Sequence, residues 1–300
     1  MPVVGFTGLH EHATKLGYDL AVVNVNSLPI ARGIIGSGSD QDAPVVLAVC
    51  GRDLMQELLP SLESMARRAL SPISLLAKRI QDAEQATLAI RLGCSGLVMA
   101  DDISDSAGSE IRAIAASCGI PVIEQSVLSA SLVEIDEELE AVTLNAMARA
   151  SSSWQLIDAS VAQAAARYLQ GIYSQTGASG QGRGALETCQ PWRPVEHLII
   201  YNTTADDETS AELAAEGRRV LDRIPGVRAT WSGRSIKPDA SYRWCWLIRF
   251  AHPAVIDAYR VHPDHQAYAD NHFRPIAGDR ISIDYELFGV EEIQENLSSD

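Results

Sequence analysis

Ala254-Val-Ile-Asp-Ala-Tyr-Arg-Val-His-Pro-Asp-His265 reads as a short helix stopped by a proline turn. Proline disfavours helical backbone in the residue before it, so the helix has to end near His262. Tyr259, His262 and His265 then fall within one turn region. They are the densest set of groups in the chain able to move protons near neutral pH.

Working outward, His197-Leu-Ile-Ile-Tyr opens a strand over residues 197–202. Residues 210–224 carry Ala, Leu and Val on one helical face, and Pro225-Gly226 ends that helix. Strands follow at 227–232 and 242–250, then a helix at 253–260 and a last strand at 280–286. The order β-α-β-β-α-β predicts a ferredoxin-like α+β module, a four-stranded antiparallel sheet with helices on one face. Ile200, Trp231, Trp244 and Trp246 are more apolar surface than one helical layer hides. Pairing two such sheets face to face buries the excess, so a homodimer through the C-terminal sheet is expected.

The first half has another rhythm. Leu20-Ala-Val-Val-Asn-Val, Pro44-Val-Val-Leu-Ala-Val, Pro72-Ile-Ser-Leu-Leu-Ala, Gly96-Leu-Val-Met-Ala and Ile120-Pro-Val-Ile-Glu are continuously apolar, as strands covered on both faces must be. Helical stretches at 52–69, 82–92 and 106–118 separate them. This α/β alternation demands a parallel sheet with right-handed crossovers. About five parallel strands make only a partial TIM-like barrel. Two long helices expected at 132–150 and 154–173 would shield its open edges. Ser174-Gln-Thr-Gly-Ala-Ser-Gly-Gln-Gly-Arg-Gly-Ala185 has the composition of a flexible connector. The expected organisation is a (β/α) domain at 1–174, a linker at 175–194, the ferredoxin-like domain at 195–290 and an acidic tail at 291–300.

Composition narrows the partners. The formal charge of −15 over 300 residues disfavours nucleic acid and anionic membrane surfaces. Five scattered cysteines, with no Cys-x-x-Cys pair, give neither a disulfide framework nor a structural zinc site. No apolar run reaches the roughly 18 residues a membrane span requires, and the N-terminus lacks a signal peptide's pattern. A cytoplasmic address follows. Gly36-Ser-Gly-Ser-Asp40 lacks the lysine and spacing of a phosphate loop.

Two resemblances add to this reading. Tyr18-Asp-Leu-Ala-Val-Val-Asn-Val-Asn, Ala43-Pro-Val-Val-Leu and Gly93-Cys-Ser-Gly-Leu-Val-Met-Ala-Asp resemble class II fructose-bisphosphate aldolases over roughly residues 10–125. That family's Leu-His-Leu-Asp-His is replaced by Leu75-Leu-Ala-Lys-Arg79, so its metal-ligating histidine and catalytic aspartate would fall at Leu76 and Lys78. The resemblance therefore implies a front half without its metal site. Lys78, at the end of a barrel-type strand, is read either as a solvated lysine or as an amine able to form a Schiff base. Asp101-Asp102 is read as a turn and helix cap, with a hard-cation site as the alternative. His10 and His12 are read as surface groups.

The C-terminal half resembles the Dabb, or stress-responsive dimeric A/B barrel, family. The resemblance rests on His197-Leu-Ile-Ile, Ile224-Pro-Gly-Val, Ala258-Tyr-Arg-Val-His-Pro-Asp-His-Gln and Ile283-Asp-Tyr285. Some members cyclise poly-β-keto chains without a cofactor. Carried over, the resemblance makes His265 the general base, Tyr259 the phenol that polarises a carbonyl, and His197 a pocket histidine. A further pocket histidine of those cyclases falls at Trp244, and Trp231 and Arg249 complete the expected substrate-binding set. His262 is read as fixing the turn, His252 and His272 as surface groups, and Arg274 as a possible partner of an anionic substrate. The expected function is a lyase, cyclase or isomerase acting on a small carbonyl compound, polyketide-like or aromatic, with neither cofactor nor metal. The alternative is a non-enzymatic ligand-binding or stress-response protein whose aldolase-like half serves assembly. A third reading keeps aldol chemistry at Lys78.

Overall fold

The computed structural model describes residues 3–124, 132–135, 137–149 and 154–287. These form two compact units. One is Met1–Ala116 with Ile120–Trp192, the other Arg193–Asp300 with Ser117–Gly119.

The first unit runs α1 (Phe6–Leu16), β1 (Leu20–Asn24), α2 (Leu28–Asp40), β2 (Val45–Cys50), α3 (Arg52–Ala66), β3 (Ile73–Ile80), α4 (Ala83–Arg91), β4 (Gly96–Met99), α5 (Asp105–Ser117), β5 (Val122–Ile123), β6 (Leu132–Ile135), α6 (Glu137–Arg149), α7 (Trp154–Thr176) and α8 (Gly182–Thr188). The sheet order is β5-β4-β3-β2-β1-β6, and every pairing is parallel. Leu20, Val22, Val46, Leu47, Leu75 and Leu76 are buried on both sheet faces, which is why these strands are uniformly apolar.

Five parallel strands were expected from the apolar runs, and the structure adds a sixth. Leu132-Val-Glu-Ile135, read from sequence as the first turn of a helix, pairs with β1 from Leu20↔Leu132 to Val23↔Ile135. Its two β-branched residues favour extended backbone, and the helix begins only at Glu137. The strand lies beside β1, where the last strand of a closed barrel would lie. Six strands are too few to close the ring, and no pairing joins β5 to β6 among the described residues.

Two further expectations change. The stretch read as a flexible connector is ordered structure of the first unit. Gly182 N–H donates to the Asp42 carbonyl at 2.6 Å, Arg183 N–H to the Asp42 carboxylate at 2.9 Å, and Trp192 N–H to the Val3 carbonyl at 2.7 Å. Gly182 serves close backbone approach, since a Cβ there would meet Asp42 at 2.8 Å, while Gly177 and Gly180 take positive φ. His12, read as a surface group, is buried, with its Nδ1 2.8 Å from the Tyr18 hydroxyl; burial lowers its pKa below the ordinary 6.5, and Lys15 adds to this.

The second unit runs β7 (Val195–Thr203), α9 (Asp207–Leu221), β8 (Val227–Arg234), β9 (Trp244–Phe250), α10 (Val255–Val261), α11 (Pro263–Tyr268), a π-helical turn (Ala269–Phe273) and β10 (Ala277–Glu286). The antiparallel order β10-β7-β9-β8 is the expected ferredoxin-like sheet. Residues of β9 alternate: Trp244, Trp246, Ile248 and Phe250 are buried, while Cys245, Leu247 and Arg249 are more open. The proline turn divides the helix expected at 253–260 from a second one. His262 caps that second helix, its Nδ1 accepting from Asp264 N–H at 3.3 Å, and Pro263 fills the first helical position. Among the described residues no helix is long and apolar enough to cross a membrane. The expected acidic tail, 291–300, lies outside the described residues.

Helix α7 packs across α2 at Gly33, where an added Cβ would stand 2.1 Å from the Ala162 carbonyl oxygen. Gly36, one turn on, is exposed and meets nothing within 4 Å. Gly33→Ala should therefore destabilise the first unit by about 1–3 kcal/mol, the cost typical of overpacking against an unyielding neighbour. Gly36→Ala should stabilise it by about 0.5–1 kcal/mol through helix propensity alone. Urea denaturation of both variants checks the pair, and equal shifts would contradict the packing described.

Candidate functional site

Four rings from separate elements meet on the helix-covered face of the second sheet. Phe250 closes β9, and Tyr259 on α10 packs against it with ring centroids 4.9 Å apart. After the turn at His262-Pro263, α11 brings His265 back over the phenol at 4.3 Å. His197 reaches the same cluster from β7, 6.0 Å from Phe250 and 6.5 Å from Tyr259. Six residues separate Tyr259 from His265 in sequence, and the turn between α10 and α11 lets their rings meet.

The hydrogen bonds fix which nitrogens are free. His265 Nδ1 lies 3.2 Å from the Arg260 carbonyl, which can only accept, so Nδ1 carries the proton and Nε2 keeps its lone pair. His197 Nδ1 likewise donates to Asp284 Oδ1 at 2.7 Å, an orienting carboxylate on β10. Burial pushes the His265 pKa below the ordinary 6.5. The hydrogen bond to the Arg260 carbonyl opposes this, and the charges of Arg274, His197 and His262 reinforce it. The ring is therefore a neutral base at pH 7. Burial holds the Tyr259 pKa well above the ordinary phenol value, with Tyr268 adding to the effect, so it stays a proton donor.

Beside the pair is a small pocket of about 30 Å³, walled by Ile199, Trp246, Ile248, Tyr268 and Phe273. That is room for roughly one water molecule. Tyr268 donates to the Leu213 carbonyl at 2.7 Å, and Phe273 meets Tyr201 edge-on at 4.9 Å.

The structure thus brings His265, Tyr259 and His197 together, and it separates the three residues expected to bind substrate. Trp244 is buried on the same face but lies two residues beyond Trp246, opposite Tyr201, and does not wall the pocket. Trp231 and Arg249 are on the other face of the sheet. There Arg249 sits over the Trp231 ring at 5.6 Å and pairs with the buried Glu196. Side chains alternate along a strand, so even- and odd-numbered residues of β9 cannot share a pocket. Arg274 pairs with Asp270. His252, read as a surface group, is half-buried, and that burial lowers its pKa. Trp246, Phe273 and Asp284 were missed. Period-two alternation could have flagged Trp246. No local signal marks Asp284, which meets His197 only through strand pairing.

A much larger cleft, about 840 Å³, belongs to the first unit. It opens at the C-terminal ends of β1 to β4 and is lined by Asn24, Asn26, Cys50, Lys78, Asp101 and Asp102 among others. Among the described residues, no three His, Cys, Asp or Glu side chains converge in a way that could hold a metal ion.

The folds define an open parallel (β/α) unit followed by a ferredoxin-like α+β unit carrying a His–Tyr–His cluster. Within that second unit, residues 195–287 match the family model described as the Stress responsive A/B Barrel Domain, or Dabb. The YdjI aldolase from Escherichia coli K12 is similar in structure to 60% of this chain and 99% of its own, with a TM-score of 0.55 and 12% identity. A Dabb family protein with a ferredoxin-like fold from Mesorhizobium loti MAFF303099 covers 32% of this chain and 98% of its own, at 23% identity and a TM-score of 0.30. A fructose-1,6-bisphosphate aldolase-like protein from Coccidioides immitis covers 59% and 96%, at 11% identity and a TM-score of 0.40. No curated protein matches the sequence.

A histidine whose folded pKa lies below its unfolded value binds its proton more readily once unfolded. His265 therefore costs the second unit stability as pH falls below about 6.5. Protection factors of the β9 amides, taken against the intrinsic exchange rate at each pH, should fall on acidification from about pH 7 to about pH 5. His265→Gln should reduce that fall, leaving the part due to His252, which shifts in the same direction. An unchanged pH slope in His265→Gln would show that the ring is not desolvated as described.

Proposed function

We propose that the second unit catalyses proton transfer alpha to the carbonyl of a small polyketide-like or aromatic compound, as a cofactor-independent lyase, cyclase or isomerase. The observation that carries this reading is the contact of His265 with Tyr259, a neutral base with a free Nε2 against a phenol held in its protonated form. In the reaction Nε2 removes the α-proton, the C–H electron pair forms the enolate, and the Tyr259 hydroxyl donates to the developing oxyanion. His197, oriented by Asp284, borders the phenol and completes a proton relay. The apolar walls favour a substrate with an aromatic or alkyl end. The present space of about 30 Å³ holds about one water molecule, so such a group requires the pocket to widen.

The smallness of that space favours a second reading, a non-enzymatic ligand-binding or stress-response protein with an aldolase-like assembly unit. Deuterium incorporation from heavy water into small aryl ketones and β-keto esters, followed by NMR, separates the two. Under the first reading the protein accelerates exchange alpha to the carbonyl, and His265→Ala or Tyr259→Phe lowers the rate roughly 10²–10⁴-fold. Equal rates for wild type and both variants would leave the binding reading.

The same unit is proposed to pair with a second copy of itself. The sheet face opposite the helices presents Leu198, Ile200, Leu247, Ile281 and Ile283, with Ile281 and Ile283 41% and 42% exposed. Two such faces packed together remove this surface from water. Five free cysteines fit a reducing, cytoplasmic setting. Sedimentation velocity should find a dimer for the wild type and a monomer for Ile283→Glu; a monomeric wild type would refute the pairing.

A further inference from the structure

The chain has only three lysines among its 24 basic Lys and Arg residues. Lys15 and Lys237 are exposed, whereas Lys78 is 6% exposed and borders the cleft of the first unit. Arginine serves as the ordinary surface cation in this protein, and among the described residues no arginine is buried as Lys78 is. The distinction matters chemically. A guanidinium keeps its proton at any accessible pH, while an amine can give its proton up and become a nucleophile.

The backbone at this point is also irregular. The β3–β4 register runs Ala77↔Leu97 and then Ile80↔Met99, three steps on one strand against two on the other, so one extra residue bulges at Lys78-Arg79. Arg79 takes a left-handed φ of 58° without being glycine. Cys50 is the direct cross-strand partner of Lys78, and its Sγ donates to Asn24 Oδ1 at 3.7 Å. The remaining lining is rich in groups that bind hydroxyls: the carboxamides of Asn24, Asn26 and Gln81 and the carboxylates of Asp101 and Asp102. The cleft volume of about 840 Å³ is that of a small-molecule site. Its two carboxylates are matched in charge by Lys78 and Arg79, which suits an uncharged ligand.

We infer that the first unit holds a second, amine-based site, in which Lys78 captures a short, hydroxylated, uncharged aldehyde or ketone as an imine. The Nζ lone pair attacks the carbonyl carbon and the C=O π pair moves to oxygen. The carbinolamine then loses water as nitrogen releases its proton, leaving C=N. Amine and carbonyl give imine and water, with no oxidant or reductant involved. The carboxamides and carboxylates of the lining receive the hydroxyls.

The test uses the intact protein, glycolaldehyde as probe and borohydride to reduce any imine, with peptide mass spectrometry reading all three lysines at once. Lys78 should carry the reduced adduct about tenfold more than Lys15 and Lys237 despite its burial, and this preference should vanish in denaturant. Lys78→Met should lose that adduct while the other two lysines react as before. The comparison within the wild type stands even if that variant fails to fold. An adduct on Lys78 equal to or below that on the exposed lysines would overturn the proposal.

Discussion

Tyr259 packs against both Phe250 and His265, with tilted rings 4.9 Å and 4.3 Å away, and the second unit depends on that cluster. A phenol 5% exposed has to be shielded on both sides. The sheet supplies one side through the last residue of β9, and the helix after the proline turn supplies the other. The turn consequently has two tasks. It stops α10 two residues after the phenol that meets Phe250, and it starts a second helix whose third residue, His265, meets that phenol. His262 caps the new helix, which leaves His265 unencumbered at Nε2. The protonation states follow from this packing, because burial opposes charge on both rings.

Among the described residues the first unit pairs six parallel strands, two fewer than a closed eight-stranded barrel. Each parallel pairing is retained and both faces are covered, so the hydrophobic requirement is met. Ring closure is what fails. A cleft survives at the C-terminal ends of the strands, the end from which barrel chemistry is run. Its groups have changed character: leucine and lysine stand at positions 76 and 78, where the resemblance to class II aldolases implies a metal ligand and an acid.

Legibility from sequence followed the range of the interactions. The five apolar strands and the β-α-β-β-α-β order could be read directly, because burial on one or two faces writes itself into local periodicity. His265 and Tyr259 could be paired because six residues and a proline turn separate them. The sixth strand was hidden in four residues, too few for a period to emerge, and it is a strand only because β1 offers it a partner. Residues 175–194 were read as a linker from composition, yet Gly182 there admits the backbone of Asp42 and the stretch bonds to the first unit. Trp231 and Arg249 were grouped with the site by residue type, and strand register sent them to the opposite face.

By itself the sequence determined the five apolar strands of the first unit, the β-α-β-β-α-β order of the second, the absence of the aldolase metal motif, and the presence of a phenol and imidazoles near a turn. All of these depend on neighbours a few residues away or on composition. Tertiary structure alone decided that Asp284 orients His197 across 87 residues, that Trp246 rather than Trp244 walls the pocket, and that Lys78 lies buried beside a cleft. Those facts rest on which strands pair and in what register, and pairing is a property of the whole sheet's hydrogen bonds and burial, to which no short segment has access.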